Sequence, residues 1–130
     1  MASLSILIID KNRETSKMLT DFVAKHGYQA QITTTGNEGL DFIESNKPTI
    51  VILCDTLADM NAHDFIVKAS QRKVMSHSTY VYNTSAILNE IDKIKLMTLG
   101  FSYFLSANFD EESKKNLEWI FKEEQKLMAA

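Results

Sequence analysis

Four places in this 130-residue chain bring together side chains capable of chemistry, and each follows a short apolar run. Asp10 and Lys11 close the run Leu4–Ile9. Cys54 closes Ile50–Cys54, with Asp55 directly after it. Thr84 and Ser85 follow Thr79–Tyr82, and Ala107 and Asn108 follow Ser102–Leu105. A carboxylate can hold a hard cation or take a phosphoryl group, a thiolate can act as nucleophile, and a hydroxyl or ammonium can hold an anion. The single cysteine cannot form an internal disulfide. His26, His63 and His77 show no metal-ligand spacing, so a zinc site is not expected.

The elements that position these residues are legible from periodicity. Leu4–Ile9 and Ile50–Cys54 are near-continuous Ile, Leu and Val, as in central parallel strands buried on both faces. Tyr28–Thr34, Thr79–Tyr82 and Ser102–Leu105 complete five strand candidates. Amphipathic segments fill the gaps. Arg13 to His26 carries Met18, Leu19, Phe22 and Val23, with Gly27 as its stop. Asn37 to Asn46 carries Leu40 and Ile43, and Ala62 to Lys73 carries Phe65, Ile66 and Ala69. Ala86 to Leu99 carries Ile87, Ile91, Ile94 and Met97 and ends at Gly100. Asp110 to about Met128 carries Leu117, Ile120, Phe121 and Leu127. Strict β-α alternation predicts an α/β fold, a five-stranded doubly wound parallel sheet with helices on both faces. In such folds the site lies outside the carboxyl ends of the strands, where Asp10, Lys11, Cys54 and Ala107 fall.

Composition agrees with one globular domain over residues 1–130: 45% hydrophobic, 24% charged, net charge −3. The charge excludes a generally basic nucleic-acid binder. The absence of a basic leader and of long apolar stretches leads us to expect a cytoplasmic protein with neither membrane nor nucleic-acid partners.

Two longer stretches carry a family resemblance. Pro48-Thr-Ile-Val-Ile-Leu-Cys-Asp-Thr-Leu-Ala-Asp-Met-Asn-Ala62 matches the pattern PDLVLLDxxLPDMDG without a gap, and Asp92 to Phe109 matches DKxxxLxLGADDYLxKPF. The chain resembles a response-regulator receiver domain over nearly its whole length. That resemblance implies a (βα)5 flavodoxin- or CheY-like fold with strand order 2-1-3-4-5. It also places a degenerate phosphorylation pocket at Asp10, Lys11, Cys54, Ser85 and Ala107. Cys54 stands at the phosphoacceptor aspartate, Lys11 at the second acid and Ala107 at the lysine. Ser85 stands at the hydroxyl, with Thr84 as the neighbouring choice, and Phe104 at the switch aromatic. Receivers use Mg²⁺ and carboxylate oxygens for phosphoryl transfer. With these substitutions we expect a pseudo-receiver with no cofactor, no bound metal and no catalytic activity, acting by protein–protein contact.

Several residues carry two readings. Cys54 is a small strand-end residue or a thiol sensor. Lys11 pairs with Asp10 in place of a metal, or points to solvent. Asp55 (or Asp10) is an alternative phosphoacceptor, although strand alternation turns Asp55 away from the face of Cys54. Asp59 reads as a loop acid in a turn. The resemblance also points to the helix 4–strand 5–helix 5 face for a signalling partner or a homodimer, with Leu96, Tyr103 and Trp119 as candidates. Trp119 is either a binding anchor or a ring lying under its own lysines.

Overall fold

The computed structural model describes residues 4–55 and 57–129 of the 130. The expectation of one domain over 1–130 therefore extends, at residues 1–3, 56 and 130, outside the described residues. The elements are β1 (Ser5–Ile9), α1 (Arg13–Lys25), β2 (Gln29–Thr33), α2 (Gly36–Asn46), β3 (Ile50–Cys54), α3 (Ala62–Gln71), β4 (Thr79–Thr84), α4 (Glu90–Leu99), β5 (Phe101–Ser106) and α5 (Glu111–Ala129), with a short 3₁₀ turn at Met75–His77 before β4. All strand pairings are parallel and the sheet order is β2-β1-β3-β4-β5, as the resemblance implies.

Strand alternation sends successive side chains into two cores. Leu7, Ile9, Val51 and Leu53 pack with Leu40, Ile43, Phe65, Ile66, Tyr80 and Phe101 on the α2–α3–α4 side. Ile6, Ile8, Ile50 and Ile52 pack with Leu19, Val23, Leu117, Ile120 and Phe121 on the α1–α5 side. Every residue of β3 is buried, which is why its sequence is unbroken by polar residues.

Each helix that follows a strand in the first four units begins on a side-chain cap. Asn12 accepts from the Glu14 and Thr15 amides, Thr35 from Glu38, Asn61 from Asp64 and Asn89 from Asp92. Such caps satisfy amides that the helix itself leaves unpaired, and each contributes about 1 kcal/mol. They also fix where each strand-end loop stops.

Five sequence expectations need correction. β4 runs two residues further than Tyr82, to Thr84, because the polar Asn83 and Thr84 are buried on the ladder. The helix expected from Ala86 begins at Glu90, where Asn89 and Asp92 form a capping box. The stripe Ile87, Ile91, Ile94 and Met97, expected to pack inward, faces outward, and α4 packs on the core through Leu96 and Leu99. Leu127, assigned to the buried stripe of α5, is exposed; the inward contacts of that helix reach only as far as Glu124 and Gln125, the latter bonded to the Tyr28 hydroxyl. Met18 of α1 is also largely outside the core.

Candidate functional site

The carboxyl ends of β1, β3 and β4 bring Asp10, Cys54, Asp55, Asn83 and Thr84 together. β1 pairs with β3 through Ile9↔Leu53, and β3 with β4 through Cys54↔Asn83. Asp10 is 3% exposed and Cys54 5%. The Asp10 Oδ1 accepts from the Asn12 amide at 2.9 Å, whereas Oδ2 is buried with no formed hydrogen bond. The Cys54 thiol, a weak donor, lies near this carboxylate and tends to lower its pKa. On its other side Sγ receives the Asn83 Nδ2 at 3.6 Å.

These surroundings move both groups toward their neutral forms. Burial raises the pKa of Asp10, and the nearby Asp55 adds to it; the Asn12 amide and the thiol only partly offset this. Burial also pushes the Cys54 thiol well up, and the Asp10 carboxylate reinforces the effect. A reactive thiolate needs the reverse, an exposed and electropositive setting. The inert reading of Cys54 is therefore the one its environment matches.

Asp55 leaves the ladder after Cys54. Its backbone N–H donates to the Asn83 carbonyl at 3.1 Å, and its Oδ2 accepts from the Thr84 Oγ1 at 2.7 Å. Thr84 also receives the Ala86 amide at 3.0 Å. Thr84 is thus the strand-end hydroxyl that meets a carboxylate. Ser85, the residue chosen by counting back from Gly100, is exposed one position further on.

Lys11 is exposed, and among the described residues no carboxylate lies within ion-pair distance of it. It does not fill a cation position beside Asp10, so the solvent-facing reading holds. Ala107 sits at the end of β5, its N–H donating to the Thr84 carbonyl at 2.9 Å, and its methyl brings no charge to the site. Phe104 is half-buried against the α2–α3–α4 core. Beside it a cleft of about 440 Å³ opens between the β4–α4 and β5–α5 loops, lined by Thr84, Ser85, Lys93, Phe104, Ala107 and Asn108 among others.

The donor set does not suit the Mg²⁺ that receivers employ. One buried carboxylate, a protonated thiol and a carboxylate held by Thr84 are not the oxygen-rich shell a hard cation demands. Among the described residues no group of three or more His, Cys, Asp or Glu side chains is arranged to hold a metal ion.

Asp59 is a loop acid, as its sequence context suggested, but its partners were not foreseen. Its two carboxylate oxygens accept from the Gly36 and Asn37 amides at 2.7 and 3.1 Å, clamping the start of α2 from the β3–α3 loop. Partial burial opposes its ionisation, but these amide bonds outweigh that and hold its pKa below the ordinary value. Asn83, opposite Cys54, fell just past the strand expected over Thr79–Tyr82.

No protein-family model matches the chain. Solved structures do. The CheY-like response regulator receiver domain protein from Methanospirillum hungatei JF-1 superposes with a TM-score of 0.78 at 17% identity, covering 96% of this chain and 98% of that one. The chain has the receiver-domain fold. The signal receiver domain of an HD domain-containing protein from Pseudomonas fluorescens Pf-5 gives 0.79 at 16% identity, covering 99% and 94%. Among curated proteins, the transcriptional regulatory protein PcoR of Escherichia coli is 28% identical over 105 residues, 81% of this chain. This receiver-fold chain spans 45% of the length of that relative.

Of the interaction candidates, Leu96 is half-buried against the core rather than presented outward. The aliphatics that α4 does present outward are Ile91, Ile94 and Met97. Tyr103 is half-buried on the α5 side. Trp119 is 52% exposed and meets the Tyr103 ring edge-on, centroids 5.7 Å apart. Lys122 and Lys126 pair with Glu118 and Glu123 of the same helix. The ring is thus neither free of its own chain nor covered by it. Among the described residues no helix is long and apolar enough to cross a membrane.

Proposed function

We propose that the chain is a receiver-fold signalling module that works by protein–protein contact without accepting phosphate, and that it is not an enzyme. The observation that carries this reading is the buried Cys54 at the end of β3, beside the Asp10 carboxylate and with Ala107 in place of a lysine. Phosphoryl transfer is carried by positioning and charge neutralisation. Here Asp10 and Cys54 are driven toward neutrality, and among the described residues no cation pairs with them. Titration with Mg²⁺ and beryllofluoride or acetyl phosphate, followed by amide chemical shifts and intact mass, is expected to give no saturable response. A Mg²⁺-dependent response centred on residues 10–11, 54–55 and 84–85 would sink the reading.

One observation favours a second reading. The Asp55–Thr84 hydrogen bond places a carboxylate and a hydroxyl together at a strand end. In that reading Asp55 accepts phosphate atypically. A mass gain from acetyl phosphate that disappears in Asp55→Asn identifies it. A redox role for the same pocket requires a thiol poised to ionise, and the surroundings of Cys54 work against that; a small anion held around Lys11, Cys54 and Ser85 is the separate small-ligand alternative.

A further inference from the structure

The β4–α4 connection and the β5–α5 turn form two walls of one cleft. β4 stops at Thr84 and α4 starts at Glu90, which leaves residues 85–89 outside both elements. On the other wall the Phe109 N–H donates to the Ser106 carbonyl at 2.9 Å, and Phe109 takes a left-handed φ of 49°. The Phe109 ring goes into the α1–α5 core. The turn therefore lines the cleft with Ser106, Ala107 and Asn108, none of which is bulky. The volume left open is about 440 Å³, within the roughly 300–1,000 Å³ of small-molecule sites. Such sites combine an apolar lining with a few polar groups. Here Leu88 and Phe104 supply apolar surface.

Charge decides the class of ligand. Three ionisable side chains line the cleft: Lys93 from α4, a helix with no buried residue, and Asp110 and Glu112 from the β5–α5 side. Among the described residues no carboxylate lies within ion-pair distance of Lys93, and no cation lies within that distance of Asp110 or Glu112. Asp110 already accepts from the Ser113 amide at 2.9 Å at the start of α5, so Glu112 is the acid without a role. One ammonium with two carboxylates disfavours a phosphate or a nucleotide, and a simple cation meets repulsion from Lys93. A molecule with one carboxylate and one ammonium of its own answers both walls, through two charge-assisted contacts.

We propose that this cleft binds a free aliphatic amino acid, its carboxylate toward Lys93, its ammonium toward Glu112 and its side chain against Leu88 and Phe104. The site goes beyond the contact-module reading and does not rest on it. Neither Lys11 nor Cys54 lines the cleft. Lys93 is half-buried and Glu112 exposed, so solvent weakens each ion pair. The expected Kd is accordingly on the order of 0.1–1 mM.

Titration of the isotope-labelled chain with L-leucine, followed by amide chemical shifts, tests it. Saturable shifts are expected around residues 85–88, 104–108 and 112–116. Leucinamide lacks the carboxylate and isocaproate lacks the ammonium; each is expected to bind about tenfold more weakly than leucine, or worse. Lys93→Met and Glu112→Gln are expected to weaken leucine binding by a similar factor. Ala107→Met, which fills the cleft, is expected to abolish it. Circular dichroism confirms that each variant folds. No saturable response to leucine, valine or methionine up to about 10 mM overturns the proposal. So does leucinamide or isocaproate binding as tightly as leucine, or a response that both charge variants leave intact. Inorganic phosphate is the control, and its binding in place of leucine shows an anion site and also overturns the assignment. The phosphate-independent reading is decided separately, by the beryllofluoride titration.

Discussion

Replacing Asp10 with asparagine is expected to stabilise the protein at neutral pH, against the usual result for a buried residue at a site. Asp10 Oδ2 is buried without a formed hydrogen bond, while Oδ1 accepts from the Asn12 amide. Asparagine keeps the Oδ1 contact and removes the unpaired charge. The amide leaves a neutral buried NH₂ where the charge was, so only the excess cost of the charge is recovered, and a gain of about 1 kcal/mol is expected at pH 7. The pH dependence distinguishes this cause from others. Burial raises the native pKa above the ordinary 3.8. Between that value and the raised one, the native state holds more protons than the unfolded state, and wild-type stability falls as pH rises. The gap between Asp10→Asn and wild type should therefore be small below pH 3.8, open through that window and stay constant above it. Urea unfolding of both proteins from pH 3 to 8 (about 3–6 °C in Tm per kcal/mol for a chain this size) measures it. A variant less stable than wild type at pH 7 would mean that Asp10 has a cationic partner, with Lys11 the first candidate. A pH-independent gap would mean that charge burial is not the cause.

Asp59→Ala should destabilise by about 1 kcal/mol, because two amides at the start of α2 lose their acceptor at a mostly exposed position. Since the Asp59 pKa is lowered in the fold, its contribution should be present above the ordinary 3.8 and fade as pH falls below it, which denaturant midpoints can follow. Cys54 should alkylate with iodoacetamide at neutral pH at least tenfold more slowly than free cysteine; reaction at the free-thiol rate would revive the sensor reading. Trp119→Ala should lower stability by about 1 kcal/mol through the lost edge contact with Tyr103. If it also weakens capture of a partner by about 2 kcal/mol or more, the α5 face takes part in binding; unchanged affinity would confine the contact surface to α4.

What the sequence revealed depended on how many faces of an element are buried. Ile50–Cys54 is enclosed on both sides, so its composition alone marks a central strand and brings Cys54 to a strand end. Asn83 and Thr84 belong to a strand as well, but as polar residues paired at the edge of the site they read as a loop. With the strand expected to stop at Tyr82, both Thr84 and Ser85 stood open as the hydroxyl, and in the structure Thr84 meets the Asp55 carboxylate. In α4, periodicity revealed an apolar stripe but not its direction. Leu96 and Leu99 suffice to seat a short helix, so the stronger stripe was free to face outward. The Asp59 clamp joins positions 22 and 23 residues apart, and no local pattern encodes a pairing of that span. The strand order 2-1-3-4-5 came from the resemblance; alternation alone gives parallel strands without their sequence in space.

The absence of any buried residue in α4 also has an energetic consequence. Proteins open locally where few apolar contacts resist it, and amide exchange reports the free energy of each opening. β3, closed in on both faces, should exchange only with global unfolding. α4 is held by its capping box and by the partial burial of Leu96 and Leu99, so it should open far more readily while the sheet stays intact. Any partner on its outer face must first suppress that opening, and part of its binding free energy goes into ordering the helix. Protection gained in α4, with β3 unchanged, would then serve as the signature of an occupied surface.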